Sequence, residues 1–237
     1  MNGIRSFFPE TPPPIDKNEV LRYLGYGKAV PDSATARLIE GCAAQLANVI
    51  NPRCVYAVFP IIISADGIHL EGCNLVLTGK DIAAHLKNCR LAVLSAATLS
   101  QPADRLLRRA SAADITSGLI MDSCATVAVE QLCDSMEEDI KQQYPDSFFT
   151  SRYSPGYGDL PLETQQDFLS VLDTPLKIGL CATKESILTP RKSVTAVIGI
   201  GNIQPEGSRT GCNHCRLINN CSFRKRGEYC GLSKPAE

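Results

Sequence analysis

Apolar positions along this chain repeat in two different periods. Ala34, Leu38, Ile39, Cys42, Leu46 and Ile50 fall near a 3.6-residue spacing, which predicts a helix opening at Asp32 or Ser33 and closing before Pro52. Leu119, Ile120, Val127, Leu132, Met136 and Ile140 predict a second and longer helix over 116–143. At 1.5 Å per residue it would be about 40 Å long, enough to cross a whole domain. Its acidic end (Asp134, Glu137, Glu138, Asp139) reads as a solvated face. Val20, Leu21 and Leu24 predict a short helix ending at Gly25-Tyr26-Gly27, and further helical stretches are expected over 81–87, 102–109 and 163–172. Strand patterns rich in Val and Ile occupy 53–64, 91–97 and 194–200. The first turns at Asp66-Gly67 into a returning strand through Ile68 and Leu70. Shorter strands are expected over 75–77 and near 178–183. Helices and strands do not alternate regularly, so the expected class is α+β and not a doubly wound sheet. The expected organisation is an N-terminal arm over 1–14, one domain over 15–203, and a separate tail over 204–237.

Composition narrows the function classes. The chain has 237 residues, 44% of them hydrophobic, so a sizeable core is available. Lys and Arg number 24 against 25 Asp and Glu, for a net charge of −1. That balance argues against a tail-driven nucleic-acid binder. Trp is absent and aromatics are 6%, which disfavours a stacking platform for single strands. No apolar leader segment stands at the N-terminus, and the longest apolar run, 55–63, falls far short of the roughly 20 residues that span a bilayer. A cytoplasmic protein with neither membrane nor nucleic acid as partner is the expectation. The 11 cysteines then read as thiols or metal ligands, and their odd number leaves at least one outside any intramolecular bridge.

Four of those cysteines stand in the tail as Cys212-x2-Cys215-x5-Cys221-x8-Cys230, among Arg209, Arg216, Arg224, Lys225 and Arg226. A CxxC pair presents two thiolates to one ion, and two more complete a tetrahedral set. A [4Fe–4S] cluster is the first expectation and Zn the second; His214 points outward in this reading. The other seven (Cys42, Cys54, Cys73, Cys89, Cys124, Cys133, Cys181) sit singly in helix and strand patterns and are expected to be small core residues.

The segment from Arg152 to Pro161 (RYSPGYGDLP) has the chemistry of a binding loop. Arg152 offers a fork for a carboxylate, Gly156 lets backbone come close to a ligand, and Tyr157 supplies a flat face for adenine or a cationic sulfonium. A stiff proline-rich connection accounts for the same composition. Gly199-Ile200-Gly201 follows a strand, but Gln204 takes the third position of a glycine-rich nucleotide loop, so the fit to an ordinary methyltransferase is poor. His69 and His85 stand alone in their patterns and read as structural.

Arg152-x-x-x-Gly156-Tyr157-x-x-x-Pro161 resembles the S-adenosylmethionine-binding motif of the activation domain of cobalamin-dependent methionine synthase. Thr183 and Pro190-x-x-Ser193-Val194 resemble that domain's Thr-Glu-Ser…Pro-x-x-Ser-Val stretch, and 125–139, with Glu130 in Ala-Val-Glu, resembles its long helix. Ala97-Thr98-Leu99, Ala103-Asp104-Arg105 and the cysteine tail with Cys221-Ser222-Phe223-Arg224 look like small stand-alone homologues of the domain. The resemblance covers roughly 15–203. It implies an α+β fold with a twisted antiparallel sheet and S-adenosylmethionine bound across it. Residue by residue, it implies that Arg152 holds the ligand's carboxylate, that Glu130 meets its amino group, and that Ser154, Gly156 and Tyr157 touch it through backbone or ring. Ser154 stands where the synthase has Ala, Lys184 replaces the acidic residue of Thr-Glu-Ser, and the family's acidic N-terminal contact and late Tyr have no counterpart. The chain carries no Asp-x-His-x-x-Gly cobalamin motif, so the implied role is in trans: reactivating a methionine synthase, or a related corrinoid protein, that lacks its own activation domain. The cobalamin would be the partner's, and a flavodoxin- or ferredoxin-like protein would donate the electron.

Overall fold

The computed structural model of the protein describes residues 3–26 and 29–203. The chain runs β1 (Arg5–Phe7), α1 (Lys17–Tyr23), α2 (Ser33–Val49), β2 (Arg53–Ile63), β3 (Ile68–Leu70), β4 (Val76–Leu77), α3 (Lys80–His85), β5 (Cys89–Thr98), α4 (Ser100–Ala113) and α5 (Ile115–Gln143). It continues through β6 (Phe148–Phe149), α6 (Thr164–Val171), α7 (Thr174–Ile178), β7 (Cys181–Ala182), β8 (Leu188–Thr189) and β9 (Ser193–Gly201). The class is α+β. The main sheet has the order β4-β3-β2-β5-β9-β6, with β1 added to β2, and its ladders are antiparallel.

Period-2 alternation divides the sheet's side chains between two cores. Cys54, Tyr56, Val93, Ala97, Ile198 and Ile200 face α1, α2, α4 and α5. Val55, Ala57, Phe59, Leu94, Ala96 and Val197 face α3, α6 and α7. The long α5 is buried along Ile120, Cys124, Val127, Leu132, Met136 and Ile140. Local signals fix the helix starts. The Asp32 carboxylate accepts from Ala34 N at 2.8 Å and Thr35 N at 3.0 Å, which caps α2. Asp114 closes α4 through its own N–H and caps α5 by accepting from Ser117 N at 2.7 Å.

Several elements differ from the sequence expectation. The arm is not detached: Arg5, Ser6 and Phe7 pair with Tyr56, Val55 and Cys54. The basic turn expected over 102–109 is a 14-residue helix, because Pro102 falls in its first turn, where a missing N–H costs nothing. Ile178, expected in a strand, ends α7; Pro175 sits in that helix's first turn, where its fixed φ favours a start. Among the seven single cysteines, Cys42, Cys54, Cys124 and Cys133 are buried, but Cys73 and Cys89 are half-buried and Cys181 is exposed in a short hairpin strand. Burial pushes the Cys124 thiol up to about 12 and the Cys89 thiol to about 11, which leaves both as inert packing groups. Among the described residues no helix is long and apolar enough to cross a membrane.

Candidate functional site

The Arg152 segment is held at three places. Residues after β6 continue along β9: Thr150 N donates to Gly199 O at 2.9 Å, and Tyr153 exchanges backbone hydrogen bonds with Val197 at 3.0 and 2.8 Å. The ring of His85, at the end of α3, donates from Nε2 to Ser151 O at 2.9 Å and lies 5.0 Å from the Tyr153 ring. The loop's far side is tied to the start of the same helix, where the Asp159 carboxylate accepts from Lys80 N at 2.6 Å and Asp81 N at 3.0 Å. Between these anchors the chain turns twice in the left-handed region, at Gly156 (φ 88°) and Gly158 (φ 54°), where a side chain would be strained. At Gly158 a Cβ would also collide with the Tyr153 hydroxyl and stand 2.6 Å from Asp81 Oδ2. The turn is closed by Tyr157 N to Ser154 O at 2.9 Å and Gly156 N to Leu160 O at 3.0 Å.

Across from this loop runs a polar stripe of α5. Asp122, Thr126, Glu130, Asp134 and Glu137 follow one another at three- and four-residue steps on one helix face. Among the described residues two cations reach it. Lys192, just before β9, sits 2.9 Å from Asp122 Oδ1 and donates to Thr126 Oγ1 at 2.8 Å. Arg152 binds the rest: Nη2 donates to Glu130 Oε2 at 2.9 Å, and Nη1 donates to Asp134 Oδ1 at 2.9 Å and to Glu137 Oε1. The acidic end of α5 is therefore not a plain solvated face. Asp139, too, is engaged, accepting from the Tyr56 hydroxyl at 3.1 Å. Burial works against the Arg152 charge, but neighbouring Cys133, Glu137 and Glu130 overcome it and raise the guanidinium's pKa. Burial likewise pushes the Glu137 carboxyl up, with Arg152 pulling it back down.

The loop and the helix enclose an open cleft of about 320 Å³ lined by Glu130, Glu137, Ser151, Arg152, Ser154, Tyr157 and Val194. Four of the five expected binding residues, Glu130, Arg152, Ser154 and Tyr157, thus line one cavity. Gly156 lies in the loop's turn and is not part of the lining. Val194 brings in the Pro-x-x-Ser-Val stretch, whose Ser193 hydroxyl lies 2.8 Å from Thr98 Oγ1 and 2.7 Å from Pro190 O. Thr183 and Lys184 do not line the cleft; Thr183 closes the β7–β8 turn by pairing with Ile187. Asp134 and Glu137 were not expected in the site. Their four- and seven-residue spacing from Glu130 was the signal. Gly199 and Gly201 lie inside β9 and form no nucleotide loop. The tail cysteines Cys212, Cys215, Cys221 and Cys230 lie outside the described residues. Within the described residues no group of three or more His, Cys, Asp or Glu could hold a metal.

No family model matches the sequence, and no curated protein sequence does. Among solved structures, the chain is similar to the crystal structure of the MetH reactivation domain bound to AdoHcy, with a TM-score of 0.58 at 13% identity, over 96% of this chain and 87% of that one. At that identity the likeness is one of fold, and the fold this chain shares is that of the MetH reactivation domain.

Proposed function

We propose that this chain binds S-adenosylmethionine in the cleft between α5 and the Arg152 loop. In this reading it serves as a reactivation partner, supporting reductive methylation of cob(II)alamin on a cobalamin-dependent methionine synthase that lacks its own activation domain. The observation that carries the reading is convergence. Glu130, Arg152, Ser154 and Tyr157, 27 positions apart at the extremes, line one cleft on a fold shared with a reactivation domain whose crystal structure holds AdoHcy.

The residues present suit such a ligand. The cleft's volume, about 320 Å³, falls in the range of about 300–1,000 Å³ usual for small-molecule sites. The Glu130 carboxylate can receive an ammonium group, and the Arg152 guanidinium can receive a carboxylate. Both terminal nitrogens of Arg152 already donate to α5 carboxylates, so a ligand carboxylate has to share or replace one of these contacts. The Tyr157 ring, 59% exposed, offers a face to a base or a cation.

When bound, S-adenosylmethionine supplies an electrophilic methyl group on its sulfonium. The chain's own residues hold and orient it. His69 is engaged by Asp66 in an exposed turn, and His85 holds Ser151, so neither lines the cleft. With the Glu130 and Glu137 carboxylates committed to Arg152, the site works by positioning, which alone can lower a barrier by about 7–11 kcal/mol. The cobalamin belongs to the partner. In the same reading the tail cysteines hold a [4Fe–4S] cluster, or alternatively Zn, and a flavodoxin- or ferredoxin-like protein delivers the electron.

The test is reactivation. A cobalamin-dependent synthase trapped as cob(II)alamin is mixed with the full chain, S-adenosylmethionine and a reductant, and the methylcobalamin spectrum and turnover are followed. Recovery beyond that given by reductant and S-adenosylmethionine alone supports the reading. Equal recovery with and without the chain overturns it.

A further inference from the structure

We propose that Asp134 and Glu137, together with Glu130, make this cleft selective for positive charge, so that it prefers S-adenosylmethionine to its demethylated thioether, S-adenosylhomocysteine. The proposal rests on the binding reading given above and names the residues that set specificity within it.

Three carboxylates surround one guanidinium: Glu130, Asp134 and Glu137 against Arg152, an excess of two negative charges. Glu130, Glu137 and Arg152 line the cleft, and Asp134 reaches it through Arg152; the remaining lining residues, Ser151, Ser154, Tyr157 and Val194, are uncharged, so among the described residues these four charged side chains set the charge of the cleft. The nearest further cation on the α5 stripe, Lys192, is held by Asp122 and Thr126. Lys141 stands 3.8 Å from Glu138 on the helix surface. A structural clamp on Arg152 needs one carboxylate, which can grip the guanidinium through both of its oxygens, or two, one on each terminal nitrogen. The third leaves the site over-supplied, and the excess is accessible: the Asp134 and Glu130 side chains are 45% and 39% exposed.

The two ligands differ by one charge at one atom. S-adenosylmethionine carries a sulfonium, an ammonium and a carboxylate, for a net positive charge. The thioether has lost the sulfonium charge and is neutral overall. A cleft with excess negative charge attracts the first and is indifferent to the second. Selectivity of this kind has a use, because the spent ligand loses its electrostatic hold as soon as the methyl group has gone.

Calorimetry of the full chain with each ligand tests this, read as the ratio of the two dissociation constants. The wild type is expected to favour S-adenosylmethionine by about tenfold or more at low salt, the scale for one unit charge near a partly screened excess. Asp134→Asn and Glu137→Gln should each cut that ratio about threefold, while Asp134→Glu, which keeps the charge, should preserve it. A purely structural role would weaken both ligands alike and leave the ratio unchanged. Should a variant fail to fold, the wild-type ratio itself must shrink as salt is raised. A wild-type ratio near one, a ratio insensitive to salt, or an unchanged ratio in both neutral variants overturns the proposal and leaves the binding reading standing. Binding of neither ligand overturns both.

Discussion

A Cβ on Gly199 would penetrate the Sγ of Cys89, the residue that opens the neighbouring strand β5. It would also stand 2.7 Å from Leu86 Cδ2 and 3.1 Å from Thr150 Cγ2. The glycine lets α3, β5 and the start of the site loop close on β9 at one point. Gly199→Ala should therefore cost about 1–3 kcal/mol, the usual scale of overpacking in a filled core. Adding Cys89→Ala should return part of that loss. Urea unfolding of the single and double variants measures both, and a double variant no more stable than Gly199→Ala contradicts the contact.

Arg152→Lys keeps the charge and loses the fork. A lysine ammonium cannot serve Glu130 on one side and Asp134 and Glu137 on the other in the same planar geometry. Because Arg152 is 23% exposed, solvent screens the loss, and a stability change of only about 1 kcal/mol is expected. The affinity for S-adenosylmethionine should fall about tenfold or more. Unchanged calorimetric affinity would remove Arg152 from the ligand contacts.

Asp159 fastens the site loop to the first turn of α3. Asp159→Ala takes away the acceptor of two backbone N–H groups and should cost about 1 kcal/mol. It should also raise hydrogen exchange from Tyr153 to Leu160 more than elsewhere. Gly158→Ala should loosen the same segment by a different route, since its φ of 54° and the nearby Tyr153 hydroxyl both oppose a side chain. Exchange that rises uniformly over the chain would show that the loop is not a separate unit.

Glu137 gives a pH signature. Burial holds its carboxyl above the ordinary 4.5, so the folded protein binds that proton more tightly than the unfolded chain does. Its contribution to stability is therefore greatest below 4.5 and declines as pH rises through the interval just above. Glu137→Gln removes the decline, so wild-type stability minus variant stability should fall with pH across that interval. A difference that rises with pH would show that attraction to Arg152 outweighs burial.

The tail offers a chemical test. If Cys212, Cys215, Cys221 and Cys230 hold a cluster, anaerobically purified protein should carry roughly four iron and four sulfide per chain and lose visible absorption on reduction. One zinc and no colour would favour the alternative. Deleting 207–237 should slow reactivation driven by a protein donor and spare S-adenosylmethionine binding.

What the sequence made legible was what periodicity and local caps determine. Helix α5 was expected within a residue of its ends, since its apolar face is long. The turn at Asp66-Gly67 and the cap at Asp32 were readable from their local residues. Tertiary pairing was not. Strand β1 has three residues and exists only because β2 accepts it. The role of Asp134 and Glu137 depends on where Arg152 arrives, 15 to 18 positions later, and a charged helix end looks the same whether it meets water or a guanidinium. Of the candidate site, the loop's composition singled out Arg152 to Pro161 and the family resemblance pointed to Glu130; the cleft that joins them came from the packing of β9 beside α5.

The pairing of β1 has a consequence for how the protein must be handled. It covers the backbone of Cys54 to Tyr56 on the side of β2 away from β5, and Arg5 reaches Gln143, whose Nε2 donates to the Tyr56 hydroxyl at 2.8 Å. A chain trimmed to begin at Pro9 would present that stretch as a bare strand edge, a template for a second molecule. Trimmed protein should self-associate at concentrations where the intact chain does not. The first eight residues would then act as a built-in guard against polymerisation, and sedimentation of the two forms side by side would reveal it.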